Sequence, residues 1–217
     1  MTRATTIAAL AAIALAACSA GAGAQDKVSL GTDWRAQAEH GCFYHAQAAG
    51  IYREHGLDVT IRQGGPNLNH RQLMINGALD FNMGSNAYGA LNFVREGIPM
   101  VAVAAMFQKL PAVLIAHPGA GNDSFEALKG KPIFVSTDAR ATWWLFLRQR
   151  FGYTDAQVRP YTFNSAPFLA DRNAVQQGYL SSEPFSIERE GRFKPVVMLI
   201  ADAGFASYST LIETSER

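Results

Sequence analysis

The sequence predicts an α/β fold of two lobes, and three observations support this prediction. Short apolar strand patterns alternate with helical patterns over most of the chain. Turn sequences such as Gly64-Gly65-Pro66 and Gly97-Ile98-Pro99 separate these patterns. The alternation then restarts after Phe107-Gln108-Lys109. Because strands that alternate with helices favour parallel pairing in a sheet, we expect two α/β lobes with a ligand cleft between them.

The first lobe is predicted to span residues 25–108. Its second strand, over residues 57–62, shows the clearest alternation of apolar and polar side chains. Asn67 or Asn69 is suited to cap the helix that follows this strand. The predicted strands cover residues 28–32, 57–62, 80–83 and 100–106. The predicted helices cover residues 40–54, a stretch that begins after Asn67 or Asn69 and runs through Leu73, Met74 and Ile75 to Gly77, and residues 86–96.

The second lobe is predicted to span residues 109–202. Residues 203–217 are expected to return toward the first lobe. The predicted strands of the second lobe cover residues 113–116, 132–135, 158–163, 175–180 and 196–200, and its predicted helices cover residues 124–128, 139–151 and 166–172.

The first 24 residues have the pattern of an export signal. Arg3 precedes an apolar run over residues 7–17 that is too short to span a bilayer. Cleavage is possible after Ala22-Gly23-Ala24, or at the lipobox Leu15-Ala16-Ala17-Cys18, where Cys18 would carry a lipid anchor. Both alternatives place the mature protein in the periplasm, and only the second attaches it to a membrane.

Charge and motif content exclude several classes of function. Nineteen Lys and Arg residues against 18 Asp and Glu residues give a net charge of +1, so a nucleic-acid partner is not expected. Cys42 and His45 are too generic a pair to predict a metal site. No motif for a catalytic nucleophile or a phosphate-binding loop is present. We therefore predict a binding protein without metal or cofactor, and not an enzyme.

Five residues of the first lobe are candidate ligand contacts because ligands of open α/β sheets lie at the carboxyl ends of strands. Trp34 follows the first strand and is suited to stack on a flat ring, or equally to pack in the core. His40 and Tyr44 share one helical face, although His40 would also suit a capping role. Ser85 and Asn86 end a strand and open a helix, where they either cap the helix or reach into the cleft.

Five residues of the second lobe complete the predicted site. Thr137 and Asp138 open a helix in the same way as the pair in the first lobe. Trp143 is followed by a second tryptophan, so one of the two rings is expected in the core and the other at the cleft. Asn164 and Glu183 lie at strand ends, where a carboxylate can accept hydrogen bonds from an amidine-like edge.

Several motifs of the chain occur together in one known family. They are Asp33-Trp34, His40-Gly41, Phe43-Tyr44-x-Ala46, Gly56-Leu57-Asp58-Val59, Leu73, Gly77-Ala78-Leu79-Asp80-Phe81, Gly97-Ile98-Pro99, Leu128-Lys129-Gly130-Lys131 and Glu183-Pro184. In this order they resemble the SsuA/THI5-like (NMT1/THI5) family of periplasmic substrate-binding proteins. The resemblance implies a type II periplasmic-binding-protein fold, a monomer, a small organic ligand and an ABC transporter permease as partner. Family members usually run further, so we expect a carboxy-terminal remainder to be missing.

The resemblance leaves three hypotheses for the function. Trp34, Tyr44 and Glu183 favour a small heterocycle with N–H donors, such as a pyrimidine precursor of thiamine. Sulfonates, taurine or nitrate are the alternative ligands, and Arg140 keeps that alternative open. The third hypothesis is a pyrimidine-forming enzyme related to the eukaryotic THI5 members, which use a histidine and pyridoxal phosphate. The chain lacks the cysteine-rich motif of those enzymes.

Overall fold

The computed structural model of the chain describes residues 24–66 and 68–216. Nearly all of the predicted export signal, including Cys18, lies outside the described residues, as do Asn67 and Arg217. Within the described part, no helix is long and apolar enough to cross a membrane. These residues form ten strands in two separate sheets of five strands each.

The first sheet belongs to lobe 1 and has the strand order β2-β1-β3-β10-β4. β1 pairs in parallel with β2 and β3, as the alternating pattern predicts. β10 pairs antiparallel with both β3 and β4, and thus brings the end of the described chain back into the first sheet. The strands are β1 (Asp26–Gly31), β2 (Leu57–Arg62), β3 (Phe81–Gly84), β4 (Met100–Phe107) and β10 (Ser209–Ser215).

The predicted first helix is broken in the structure. A 3-10 turn over Ala38–His40 leads into α1 (Gly41–Ala48), and α2 (Ile51–Glu54) follows after a break at Gly50. Gly50 has a φ of +81°, a left-handed conformation that glycine adopts without a Cβ penalty. The other helices of lobe 1 are α3 (His70–Ile75) and α4 (Ala87–Glu96).

Side-chain caps fix where two helices of lobe 1 begin. The Asn69 side chain accepts a hydrogen bond from Gln72 N–H at 3.1 Å at the start of α3. Asn86 accepts one from Tyr88 N–H at 3.1 Å at the start of α4. Both bonds satisfy helix-terminal N–H groups that have no partner within the helix.

The second sheet belongs to lobe 2 and has the strand order β7-β6-β8-β5-β9. β6 pairs in parallel with β7 and β8, whereas β5 pairs antiparallel with β8 and β9. The expectation of parallel pairing is therefore wrong for β4, β5 and β9, which pair only antiparallel, and for the pairing of β8 with β5. The antiparallel strand β10 is one that the sequence did not predict. The strands are β5 (Ala112–Ala116), β6 (Ile133–Val135), β7 (Val158–Pro160), β8 (Val175–Tyr179) and β9 (Val196–Leu199).

Lobe 2 carries four helices and the larger hydrophobic core. The predicted helix over residues 139–151 is two helices, because Thr142 leaves the helical conformation with φ −127° and ψ −104°. All five residues of β5 are buried, and their apolar side chains pack on both faces of the sheet. The helices are α5 (Thr137–Ala141), α6 (Trp143–Phe151), α7 (Ala166–Ala170) and α8 (Glu183–Gly191).

The chain thus has the two-lobed α/β architecture that the sequence predicts. The boundaries at residues 108 and 202 stay a prediction. β4 ends at Phe107 and β5 begins at Ala112, so one connection between the lobes lies near the predicted crossover. The second connection runs from a 3-10 turn over Ile200–Ala203 into β10.

Candidate functional site

A cavity of about 60 Å³ lies between the two lobes, where strands of both sheets end. Lobe 1 contributes residues that follow β1 and β3, and lobe 2 contributes residues that end β8 or follow β6 and β8. The carboxyl ends of strands in open α/β sheets are the usual place for ligands. We call this space, lined by Trp34, Ser85, Asp138, Trp143, Tyr179 and Glu183 among others, the cleft cavity.

A buried histidine orders the first loop of the cleft cavity. The His40 side chain is 1% exposed, and its Nδ1 accepts a hydrogen bond from Gln37 N–H at 3.2 Å. A nitrogen that accepts carries no proton, so the proton of the neutral ring lies on Nε2 and is donated to Asp33 Oδ1 at 3.0 Å. His40 therefore positions the Asp33 carboxylate at the wall of the cavity.

Asp138 of lobe 2 meets lobe 1 across the cavity. Its Oδ2 accepts a hydrogen bond from Ser85 Oγ at 2.6 Å, and its Oδ1 lies 3.6 Å from Arg71 Nη1. Although 48% of the side-chain surface is exposed, that surface faces the space between the lobes. Burial between the lobes raises the pKa of Asp138, while Arg71 and the Ser85 hydroxyl act in the opposite direction.

Behind Asp138, Arg71 is held by a fully buried carboxylate of β10. Arg71 donates from Nη2 to Glu213 Oε1 at 3.1 Å and from Nε to Glu213 Oε2 at 3.3 Å. The Glu213 side chain is 0% exposed and also accepts a hydrogen bond from Asn82 Nδ2 at 2.7 Å. This network ties the returning strand β10 to the helix α3 that carries Arg71.

Glu183, at the start of α8, is a buried predicted contact of lobe 2. Its Oε2 accepts a hydrogen bond from Tyr179 N–H at 2.8 Å, and its Oε1 accepts one from the Tyr161 hydroxyl at 3.2 Å. The side chain is 6% exposed. Burial raises the pKa of Glu183, and the hydrogen bond from Tyr179 N–H opposes that shift.

Direct contacts hold the two lobes together on either side of the cleft cavity. Trp34 of lobe 1 stacks on Tyr161 of lobe 2, with ring centroids 5.9 Å apart and planes 12° apart. Glu39 Oε2 accepts hydrogen bonds from the hydroxyls of Ser181 and Ser182, each at 2.8 Å. The structure therefore shows the lobes closed on each other.

Most of the predicted contact residues meet at the cleft cavity. Three do not line it. Tyr44 lies on α1, away from the cavity, Thr137 faces a neighbouring space, and Asn164 caps α7 by accepting a hydrogen bond from Ala166 N–H at 2.9 Å. The predicted residues that line the cavity are Trp34, His40, Ser85, Asn86, Asp138, Trp143 and Glu183. A role in ligand binding stays a prediction for all ten.

The two adjacent tryptophans both pack in the core of lobe 2, and only Trp143 also lines the cleft cavity. Trp144 is 1% exposed and donates from Nε1 to Asp155 Oδ1 at 2.9 Å in the core of lobe 2, whereas Trp143 lines the cleft cavity. Trp34 also lines the cavity, but one face of its ring is occupied by Tyr161. Only the remaining surface of Trp34 is free for a ligand.

Sequence reasoning missed several residues of the cleft cavity. The sequence around Glu39 does not indicate a site residue, because the role of Glu39 depends on hydrogen bonds from two serines more than a hundred positions away. Gln177 and Tyr179 lie on β8, and their position at the carboxyl end of a strand would have identified them. Arg71 acts from behind the cavity and is recognised only through its contacts with Asp138 and Glu213.

The cleft cavity is rich in carboxylates. Asp33, Glu39, Asp138 and Glu183 line it, and no described lysine or arginine does. The nearest guanidinium, that of Arg71, is already paired with Glu213. Over the part of the chain that the structure describes, no group of three or more histidine, cysteine, aspartate or glutamate residues is arranged to hold a metal ion. The cavity therefore favours molecules that donate hydrogen bonds or carry positive charge.

Comparison with solved structures finds the same fold in several proteins of known structure. A protein of Bordetella bronchiseptica RB50 superposes with a TM-score of 0.69 at 15% identity, over 88% of this chain and 64% of that one. The periplasmic aliphatic sulphonate binding protein SsuA from Escherichia coli superposes with a TM-score of 0.58 at 10% identity, over 88% of this chain and 62% of that one. The chain thus spans less than two thirds of the length of these two proteins.

A third structure with the same fold has a bound molecule. The alkanesulfonate-binding protein SsuA from Xanthomonas axonopodis pv. citri, bound to MOPS, superposes with a TM-score of 0.59 at 14% identity, over 90% of this chain and 68% of that one. No curated protein sequence matches the chain significantly. The model of the family described as NMT1/THI5 like matches residues 37–217. The chain therefore belongs to the NMT1/THI5-like family, as its sequence motifs predict.

Proposed function

We propose that this protein is an extracytoplasmic solute-binding protein of an ABC importer, which binds a small heterocycle and passes it to a permease. Membership of the NMT1/THI5-like family, the two-lobed fold and the cavity between closed lobes support this role. The proposed location is the periplasm, by export of the mature chain with or without a lipid on Cys18. The protein acts as a monomer and carries no cofactor.

The carboxylate-rich wall of the cleft cavity is the single observation on which the proposed class of ligand is based. Four carboxylates approach the cavity, and the aromatic rings of Trp143 and Tyr179 complete its wall. A flat ring with N–H donors, such as the aminopyrimidine precursor of thiamine, fits both features. Its N–H groups would make charge-assisted hydrogen bonds to carboxylates, each contributing roughly 1.5–3 kcal/mol.

A sulfonate, taurine or nitrate is the second candidate ligand. The structural similarity to two sulfonate-binding proteins favours it. The N-termini of α4 and α5, which are capped by Asn86 and Ser136 beside the cavity, also favour it because helix N-termini attract anions. The carboxylates oppose it, because they repel an anion. Arg140, which the sequence suggested for such a ligand, lines a different cavity beside Tyr161. We therefore rank a sulfonate, taurine or nitrate below the heterocycle as a candidate ligand.

A pyrimidine-forming enzyme is the remaining alternative. Pyridoxal phosphate is held by enzymes as a Schiff base on a lysine, and no lysine of the described chain lines the cleft cavity. The carboxylates would also repel the phosphate. We propose reversible binding, and the expected spectrum of purified protein incubated with pyridoxal phosphate has no Schiff-base absorbance.

A thermal-shift screen tests the ligand class. At a concentration about a hundredfold above Kd, a ligand that binds only the folded state stabilises it by about 2.7 kcal/mol, which raises the Tm of a chain of this size by about 5 °C or more. We expect the hydroxymethyl aminopyrimidine precursor of thiamine to raise the Tm, and taurine and nitrate to leave it unchanged. A shift with taurine or nitrate alone would instead support the anion candidate.

A further inference from the structure

A second and larger cavity adjoins the cleft cavity. It measures about 480 Å³, against about 60 Å³ for the cleft cavity. By the same measure a water needs about 10–15 Å³, so the cleft cavity offers room for only about four to six waters. Asp33, Trp34, Ser85 and Asp138 line both spaces. We call the larger space the side chamber, and a ligand much bigger than one small ring has to extend into it.

The wall of the side chamber includes two buried polar side chains with unpaired atoms. Asn82 is 1% exposed and donates from Nδ2 to Glu213, which leaves Oδ1 without a hydrogen-bond partner among the described residues. His70 is 5% exposed, and neither ring nitrogen has a partner within the described chain. A buried polar group without a partner costs about 1–3 kcal/mol. Because these atoms have almost no accessible surface, a ligand reaches them only if the wall of the side chamber moves.

His70 stays neutral in this position. Burial lowers its pKa, and the charge of Asp33 opposes the shift only in part. A neutral imidazole presents one donor and one acceptor. The ring is closely enclosed, since a Cβ on Gly31 would lie 2.5 Å from His70 Nδ1 and one on Gly64 would lie 2.8 Å from Nε2. Two glycines thus make space for an unpaired polar ring beside the side chamber.

The charges of the side chamber also favour one class of ligand group. Its lining residues include Asp33, Asp138 and Glu96, and one guanidinium, that of Arg71. Arg71 is already engaged by Glu213 and Asp138. The wall therefore offers hydrogen-bond acceptors and negative charge in excess, which suits an N–H, O–H or cationic group and disfavours a phosphate or sulfonate.

We propose that the side chamber is the second part of the ligand site, and that it holds an uncharged or cationic, hydrogen-bond-donating arm attached to the ring bound in the cleft cavity. The arm passes between the residues that line both spaces. This inference rests on the proposed function and adds to it the size and charge of the ligand.

Three probes with one ring separate the two parts of the site. They are the hydroxymethyl aminopyrimidine precursor, thiamine, which adds a cationic arm to that ring, and thiamine monophosphate, whose arm ends in an anion. Calorimetric titration of the mature protein is expected to show thiamine binding about tenfold more tightly than the pyrimidine, the effect of about one or two net hydrogen bonds. Thiamine monophosphate is expected to bind more weakly than thiamine.

A bulky side chain in the side chamber is expected to abolish the tighter binding of thiamine relative to the pyrimidine. Ala141 is exposed and lines the side chamber from lobe 2, so Ala141→Phe places a ring there. The ratio of thiamine affinity to pyrimidine affinity is expected to fall toward one. Ala156→Phe, on an exposed residue of lobe 2 that lines neither space, is the matched control and keeps the ratio. Asn92→Leu, which replaces a polar group of the wall by a larger apolar side chain, lowers the ratio if the Ala141 variant does not fold.

The outcomes distinguish this inference from the proposed function. Equal affinities of thiamine and the pyrimidine in the unmodified protein would refute ligand binding in the side chamber and leave the heterocycle site in place. A tenfold affinity ratio that persists in Ala141→Phe would have the same meaning. Binding of none of the three probes would overturn both the heterocycle assignment and the side chamber.

Discussion

Replacement of Arg71 by methionine is expected to lower the free energy of unfolding by about 3–5 kcal/mol, the usual cost of leaving a buried charge without its partner. Arg71 holds Glu213 through two hydrogen bonds, and the Glu213 side chain has no solvent exposure. The strand that carries Glu213 lies between β3 and β4, so the uncompensated carboxylate would sit inside the first sheet. Urea denaturation of the ligand-free mature protein measures the effect.

Two controls make this prediction specific. Arg95→Met breaks a pair with Glu96 whose side chains are 72% and 54% exposed, and it is expected to cost less than about 1 kcal/mol. The double variant Arg71→Met/Glu213→Gln removes both charges and is expected to be more stable than Arg71→Met alone. A cost for Arg71→Met no larger than that for Arg95→Met would contradict the buried pair.

Glu183→Gln is expected to weaken binding of the aminopyrimidine by roughly tenfold to a hundredfold, because a neutral amide replaces a charged acceptor. The same change alters how stability depends on pH. Burial raises the pKa of Glu183 above the ordinary value of 4.5, so the folded chain holds this proton more tightly than the unfolded chain does. The contribution of Glu183 to stability is therefore present below that ordinary value and is lost as the pH rises through the raised pKa.

Denaturation at a series of pH values tests the second effect. The stability of Glu183→Gln relative to the unmodified protein is expected to increase as the pH rises from the ordinary value of 4.5 through the raised pKa of Glu183. Glu188→Gln, on an exposed residue of the same helix α8, is the matched control and should leave the pH dependence unchanged. Parallel stability curves for Glu183→Gln and the unmodified protein would refute the buried, proton-binding carboxylate.

Local patterns were enough to predict the parts of the site that lie at strand ends. Ser85 and Asn86 follow β3, and Asp138 and Glu183 follow β6 and β8, and all four reach the cleft cavity. Their positions depend on strand boundaries that short-range alternation of apolar residues already indicates. Tyr44 was predicted instead from its helical spacing with His40, but His40 lies in the 3-10 turn before α1, and Tyr44 does not line the cavity.

Contacts between distant residues could not be predicted in this way. Glu39 and the hydroxyls of Ser181 and Ser182 meet only because the lobes close on each other. The break at Thr142 also follows no local signal, since glycine and proline are absent from that turn. β10 was not predicted as a strand, and its antiparallel pairing depends on β3 and β4, which lie about a hundred or more positions earlier in the chain.

The sequence by itself determined the two-lobed α/β class, the family, and the loops that face the cleft, because hydrophobic periodicity and turn residues act over a few positions. Only the tertiary structure decided which charges meet there. It brought Arg71, Asp138 and Glu213 together from three distant segments, and it left the cleft cavity with carboxylates and no described cation at its wall. The charge of a site depends on distances between atoms across the cleft, and these distances are set by how the lobes pack.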